Sequence, residues 1–438
     1  MTKIQEIIEN VLESVKILML SQETEFIKRA GGKIQGLDFV LSFFSLLQMN
    51  QEVSLNNWST ALSFRIEDTV SKQALSQKSY DRHVEFTKRL LNEVMSKKTK
   101  KMVKTLEKEP GLFDYFNRAF VRDSTCITLN NSLAEAFPSS HRKIGTEAGA
   151  TARIQAAYDL IEFQYHYFKL ASYRDTDAKE APSIFDYANK DDLIIEDLGY
   201  QSFDNYIELE NKGIYLVTKW KYGTIIFKED SDERIDLLKL LNKKGNIDIN
   251  VEMGTEHKVK VRIVANKLPK KVAAKRKRDA RKNRHSKSNH STDYYKYLEW
   301  EIIITTVPII IWSAKQVSRA YRLRWHIEII FKAWKSKLNL DKIVAHKMNA
   351  NQCKIIFYLA LLYVFLRCSK LFQFFQRQIK QNYKDKQLSL LKFYDFIQTF
   401  DQQITECKSL TLLIKIVVKH ACYDKRKDRY NHEQLIYY

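Results

Sequence analysis

At 438 residues the chain holds about two to four domains, or one domain with large insertions. Apolar residues make up 45% of it and aromatics 12%, which excludes global disorder. Lys and Arg number 73 against 52 Asp and Glu, and the resulting charge of +21 implies a polyanionic partner.

The five cysteines, at 126, 353, 368, 407 and 422, form no CxxC, and their odd number does not suit a secreted disulfide framework. The first 20 residues, MTKIQEIIENVLESVKILML, carry acids inside their apolar pattern, unlike a signal peptide. The longest apolar run, Ile355 to Leu366, has 12 residues. A membrane span needs about 20, so this run reads as a buried helix. The expectation is a soluble cytoplasmic protein with no membrane partner.

Residues 1 to about 108 have helical periodicity. Within them Val70–Tyr80 ends one segment and opens another, either as the turn of a helix-turn-helix or as an ordinary connection. From Pro110-Gly111 the pattern changes. Residues 119–123 predict a buried strand ending in Asp123, and 152–159 with 163–172 predict a hairpin. Residues 193–197 predict another short strand ending in an acid, Asp197. A helix then runs from a Ser202 cap to Gly213, and a strand covers 214–220. Strands alternating with helices predict an α/β fold.

Residues 224 to about 300 hold β-prone runs at 224–228, 247–251 and 259–264 around a basic segment. Between Lys267 and Lys287, 11 of 21 residues are Lys or Arg, read as either a solvated loop or a phosphate-contacting arm. Trp300–Thr306 predicts a strand. Ser313 with Gln316 forms a capping box opening a helix to about Leu338, and residues 350–438 read as mostly helical.

That helix contains Tyr321, Arg324, Glu328 and Lys335. On a continuous α-helix they share an arc of roughly 60°, flanked by apolar residues, Trp325 and Ile329 on one side and Phe331, Ile327 and Leu338 on the other. Arg322, His326 and Lys337 form a second polar arc able to face water. Two polar stripes suggest that one lines a cleft; the plainer alternative is an Arg324–Glu328 salt bridge at i, i+4. Asp197 lies in an acidic cluster with Asp191, Asp192 and Glu196. Strand alternation points Glu196 to the face opposite Asp197, and Gly199 permits a tight exit from the strand.

The spacing Tyr321-x2-Arg324-x3-Glu328-x6-Lys335 resembles the signature of the DDE transposases of bacterial insertion sequences, specifically the Tyr-Arg-Glu-Lys group, insertion-sequence family four. Asp123-Ser-Thr125 resembles the first catalytic Asp segment of that family and Asp197-Leu-Gly-Tyr200 the second. The resemblance covers about 115 to 345. It implies that Asp123, Asp197 and Glu328 are catalytic and hold two Mg²⁺ ions, with Mn²⁺ able to substitute. Independently, two-metal phosphodiester chemistry needs about three converging carboxylates.

The resemblance further implies that Tyr321, Arg324 and Lys335 contact DNA. Related enzymes of this fold stack an aromatic of the insertion on a flipped base, and Trp300 is the positional match; the alternative is a core Trp. Lys219 stands where such proteins often carry Arg, a departure that weakens a phosphate role. The implied fold is a ribonuclease-H-like mixed sheet. The expected domains are a helical DNA-binding region at 1–110, the core at 111–223 and 300–350, a β-rich basic insertion at 224–299, and a helical region at 351–438.

The expected function is binding of terminal inverted repeats, metal-dependent cleavage of double-stranded DNA and strand transfer to target DNA, by a homodimer in the synaptic complex. A metal-dependent nuclease of the same fold, or a non-catalytic DNA-binding derivative, are the alternatives.

Overall fold

The computed structural model describes residues 3–28, 32–48, 53–96, 111–140, 149–282, 290–344, 347–383 and 386–424. The segment 283–287 of the basic run lies outside the described residues.

The chain opens with α1 (Lys3–Ser14), α2 (Ile17–Glu23), α3 (Gly36–Gln48), α4 (Leu55–Ile66), α5 (Lys72–Ser76) and α6 (Asp81–Ser96). There follow β1 (Ala119–Leu129), β2 (Ala150–Asp159), β3 (Gln164–Ser172), α7 (Asp177–Glu180), β4 (Leu193–Glu196), α8 (Phe203–Asn211) and β5 (Tyr215–Lys219). The insertion supplies β6 (Ile226–Lys228), α9 (Leu237–Lys244), β7 (Ile247–Met253), β8 (Val259–Lys267), α10 (Lys270–Lys282) and α11 (Thr292–Tyr297). The rest is β9 (Trp300–Thr305), α12 (Ala314–Arg322), α13 (Trp325–Ser336), α14 (Leu340–Ile343), α15 (Ala350–Val364), α16 (Leu371–Asn382), α17 (Leu390–Glu406) and α18 (Leu410–Ala421).

Local chemistry starts many of these helices. The side chains of Ser54, Ser71, Ser202 and Asp236 each accept from a backbone N–H at the third residue on, and Ser313 with Gln316 closes the expected capping box.

Two compact units interleave along the chain. Over the described residues the first takes 3–96, 124–175 and 327–424, and the second takes 111–123 and 176–326. β1 passes from the second unit into the first.

In the second unit the strands run in the order β1-β4-β5-β9-β8-β7-β6. β1, β4 and β5 are mutually parallel, and β9 and the insertion strands pair antiparallel. Every residue of β4 is buried, as expected of a strand with neighbours on both sides and both faces covered. The insertion strands continue the sheet, because β9 pairs with β5 on one edge and β8 on the other. Arg262 of β8 locks that junction. It pairs with both Asp248 carboxylate oxygens at 2.6 Å and donates to the carbonyls of Val307 and Trp312.

In the first unit β1, β2 and β3 follow the order β3-β2-β1, with β2 and β3 antiparallel as the expected hairpin. This mixed order around β1 is ribonuclease-H-like. The hairpin packs with the helices, where Tyr165 Oη meets Tyr394 Oη at 2.8 Å and accepts from Trp334 Nε1 at 3.2 Å. The expected turn at Val70–Tyr80 holds the short α5 between α4 and α6.

The apolar run at Ile355 belongs to a longer element. α15, a π-helical segment at Phe365–Lys370 and α16 form one 33-residue helix, long and apolar enough to cross a membrane. However, 94% of its most apolar window is buried inside the protein. Its interior charges have protein partners: Arg367 pairs with Asp401 at 2.9 Å, and Lys370 donates to Gln164 at 3.0 Å. This is a core helix.

Candidate active site

The second unit brings Asp123 and Asp197 together through strand register. β1 and β4 are parallel neighbours, with Arg122 opposite Glu196. The next residue on each strand therefore leaves on the other face, and these residues are Asp123 and Asp197. One guanidinium spans them: Arg324 Nη1 lies 3.3 Å from Asp123 Oδ2, and Arg324 Nε lies 3.8 Å from Asp197 Oδ1. Two carboxylates sharing one cation converge on a common point, and like charges so placed need one. Their oxygens are hard donors of the kind Mg²⁺ takes.

Two other acids of the cluster, Asp192 and Glu196, are engaged elsewhere. Asp192 is buried and pairs with Arg118 at 2.5 Å. Glu196 is buried against Arg122, with contacts of 2.6 and 2.7 Å. Burial pushes the Glu196 carboxyl up, and Arg122 pulls it back. Arg122 also donates to the carbonyl of Ala181 and lies 4.2 Å above the Tyr200 ring. Asp197 in contrast is 44% exposed.

Its carboxylate accepts from Gly199 N at 3.5 Å and caps the turn Leu198–Tyr200. Gly199 has a steric reason to lack a side chain: a Cβ there would stand 3.3 Å from the Asp177 carboxylate.

The helix carrying the four-residue signature is broken. α12 ends at Arg322 and α13 begins at Trp325. Across the break, Leu323 N bonds to Ala320 O, Arg324 N to Tyr321 O and His326 N to Leu323 O, a tighter i to i+3 winding. The single 60° arc expected of Tyr321, Arg324, Glu328 and Lys335 therefore does not describe the structure. The break buries Leu323 completely while Arg324 reaches the two acids. His326, expected on a solvent stripe, is 3% exposed, whereas Trp325, expected to flank the cleft, is exposed.

Tyr321 is buried, and burial pushes its phenol up against the pull of Arg324. Lys219 Nζ lies 5.3 Å from the Tyr321 ring centre. Burial and then the charges of Arg276 and Arg324 push the Lys219 ammonium down. A cluster of cations thus adjoins the two acids. Trp300 is 5% exposed in the sheet, with its carbonyl accepting from Arg276 and Lys267 Nζ 5.5 Å from its ring. It is packed as a core Trp rather than displayed for stacking.

Glu328 and Lys335 lie on α13 in the first unit, both half-buried. Trp334, fully buried, anchors that helix through its bond to Tyr165.

Of the basic segment, read from sequence as a loop or arm, residues 270–282 form the helix α10. Ala273, Arg276, Lys277 and Ala280 form its inward side. Lys271, Lys275, Arg278 and Lys282 are exposed at i, i+4, i+7 and i+11, one stripe on the opposite side.

Comparison with known proteins decides the family. The model for "Transposase DDE domain" matches residues 114–365. The chain belongs to the DDE transposase family.

This transposase is 25% identical over 399 residues to the transposase for insertion sequence element IS231E of Bacillus thuringiensis subsp. finitimus, covering 86% of this chain and 81% of that one. It is 25% identical over 411 residues to the transposase for IS1151 of Clostridium perfringens, covering 88% and 84%. A cryo-EM structure of the piggyBac transposase synaptic complex with hairpin DNA is similar with TM-score 0.44 and 9% identity, over 99% of this chain and 88% of that one.

Sequence reading missed two features of the candidate site: the Arg122–Glu196 pair on the opposite face of the strands, and the seat of Arg324 on the acids. The first had a signal. Each Asp is preceded by a charged residue of opposite sign to the other's, Arg122 on one strand and Glu196 on the next.

Proposed function

We propose that this transposase cleaves double-stranded DNA at the terminal inverted repeats of an insertion sequence and joins the freed 3′-OH to target DNA. Asp123, Asp197 and Glu328 are the catalytic carboxylates and the metal ligands, for two Mg²⁺ or Mn²⁺ ions. The observation that carries this reading is the convergence of Asp123 and Asp197 on one guanidinium, in a chain of this family. Glu328 joins them on the strength of its motif spacing.

Bound metal would supply charge for the attacking and leaving oxygens of an in-line displacement. The chain's own residues do the rest. The Asp123 and Asp197 carboxylates place that charge on the open face of the β1–β4 pair. Arg324 neutralises the acids without metal and turns to phosphate when DNA and metal arrive, a bidentate role suited to guanidinium. Lys335 and Lys219 add point charges, and Tyr321 holds Arg324 in place.

The exposed stripe of α10 tracks the phosphate backbone, independent of sequence. The helical region at 1–110 recognises the inverted repeats, and two copies of the chain pair the ends.

Glu328→Gln tests the reading. It keeps size and hydrogen-bonding capacity but removes a metal-holding charge. Mg²⁺-dependent nicking of a labelled end should be abolished while a gel shift on the same preparation stays nearly unchanged. Wild-type nicking by this variant would remove Glu328 from the site. Neutralising the α10 stripe should flatten the salt dependence of DNA binding by about 0.9 in log–log slope per lost phosphate contact. Cleavage without end joining on paired inverted repeats would favour a nuclease.

A further inference from the structure

The β4–β5 register sets Ile195 opposite Val217. Carried two residues further, on the same face of the sheet, it sets Asp197 beside Lys219. Asp123, Asp197 and Lys219 therefore stand in one row across three neighbouring parallel strands, each strand about 4.8 Å from the next. Asp197 is the natural ion-pair partner for a lysine in that place, yet Arg324 takes both acids. Lys219 Nζ lies over the Tyr321 ring instead, 5.3 Å from its centre, with no ion pair or hydrogen bond among the described residues.

The row continues past the end of β5. β9 runs antiparallel there, with Ile303 opposite Lys219, so its first residues lie beyond Lys219. Arg276 of α10 reaches that spot and donates from Nη1 to the Trp300 carbonyl at 3.2 Å. It has no carboxylate partner among the described residues. Burial and then the charge of Arg276 hold the Lys219 ammonium below its ordinary range, against the opposing pull of Glu301 and Asp197. Lys219 and Arg276 are thus two half-buried cations without a paired counter-charge, an arrangement that costs the fold free energy. An anion between them would remove that cost.

We propose that Lys219 and Arg276 form a seat for the DNA phosphate next to the one that is cut, on the same strand. The proposal rests on the reading of Asp123 and Asp197 as the cleavage site. A phosphate held at those acids leaves its neighbour further along the row, within reach of both long side chains. The Nη1 bond to Trp300 fixes the Arg276 guanidinium and leaves its Nε and Nη2 donors for phosphate oxygens, while Lys219 supplies a compact point charge.

The insertion helix α10 then has two tasks. Its outward stripe follows the backbone at large, and its inward Arg276 fixes which phosphate stands at the acids. Register of this kind matters because a misplacement of about 1 Å can cost about 100-fold in rate.

The test is single-turnover, Mg²⁺-dependent cutting of a labelled inverted-repeat end by full-length protein. One neutral methylphosphonate is placed in turn at each phosphate flanking the cut. In the wild type, one position next to the cut should slow cutting by about 10-fold or more, the worth of one charge-assisted contact. Arg276→Gln should slow cutting of the unmodified end by about the same factor, yet lose less than about 3-fold more at that one position, because the contact is already gone. At the other positions the two losses should multiply. Lys219→Met should show the same pattern with a urea midpoint at or above the wild-type value, since it removes an unpaired, half-buried ammonium. Lys219→Met also keeps the test valid if Arg276→Gln does not fold. Wild-type cutting by both variants, or losses that multiply at every position, would overturn the seat and leave the cleavage reading in place. A wild-type protein that cuts no inverted-repeat end would remove that reading, and the seat with it.

Discussion

The two faces of the β1–β4 pair carry opposite solutions to the same problem. On one face Arg122 and Glu196 bury opposite charges, with side chains 4% and 1% exposed. On the other, one residue along, Asp123 and Asp197 place like charges side by side, 18% and 44% exposed. The buried pair neutralises itself and locks register. The acidic pair cannot, so it stays open and borrows Arg324. Strand alternation alone separates a sealed ion pair from an open pair of acids.

The largest effect should come from the open face. Asp197→Asn removes a proposed metal ligand and should lower strand cleavage by about 10³-fold or more, since metal charge stabilisation is worth several kcal/mol. Its urea midpoint should stay at the wild-type value, because half the side chain is in water. A variant that unfolds instead would make Asp197 structural.

Glu196→Ala should do the reverse. Removing one partner of a buried ion pair costs about 3–5 kcal/mol, read as a lower urea midpoint at unchanged slope. Folded Glu196→Ala with wild-type stability but no cleavage would exchange the roles of the two faces.

The smallest effect should come from the shared cation. Arg324→Gln leaves the two acids unbridged, and losing its contacts, long at 3.3 and 3.8 Å, should cost less stability than losing the Arg122–Glu196 pair. Without a competing guanidinium, the acids should reach half-saturation with Mn²⁺ at lower concentration in a direct binding titration, even as cleavage slows. An unchanged Mn²⁺ affinity would mean that Arg324 does not hold the acids in solution.

Much of the fold was legible because its signals are local. The hairpin at 150–172, the capped helix after Ser202, the capping box at Ser313 and the strand before Asp197 all follow from patterns a few residues long, whereas the strand expected to end at Asp123 runs on to Leu129. The break at Leu323–Arg324 was not legible. A capped, periodic stretch reads as one helix, and only burial of Leu323 and the pull of two acids far back in the chain favour the tighter turn. The same limit hid α10, whose inward side exists only because Arg276 and Lys277 find Trp300 and Glu299. It also reversed Trp325 and His326, since a helical wheel knows periodicity but not which side meets a neighbour.

By itself, then, the sequence determined much of the strand and helix inventory, the opposite faces of Glu196 and Asp197 and the signature spacing, because these depend on alternation, caps and residue chemistry. Only the tertiary structure decided that β9 joins the insertion to the core sheet, that Glu196 is sealed while Asp197 stays open, and that Arg324 sits on both acids. Those outcomes depend on which distant strands become neighbours, and so on the burial of charge that no local pattern records.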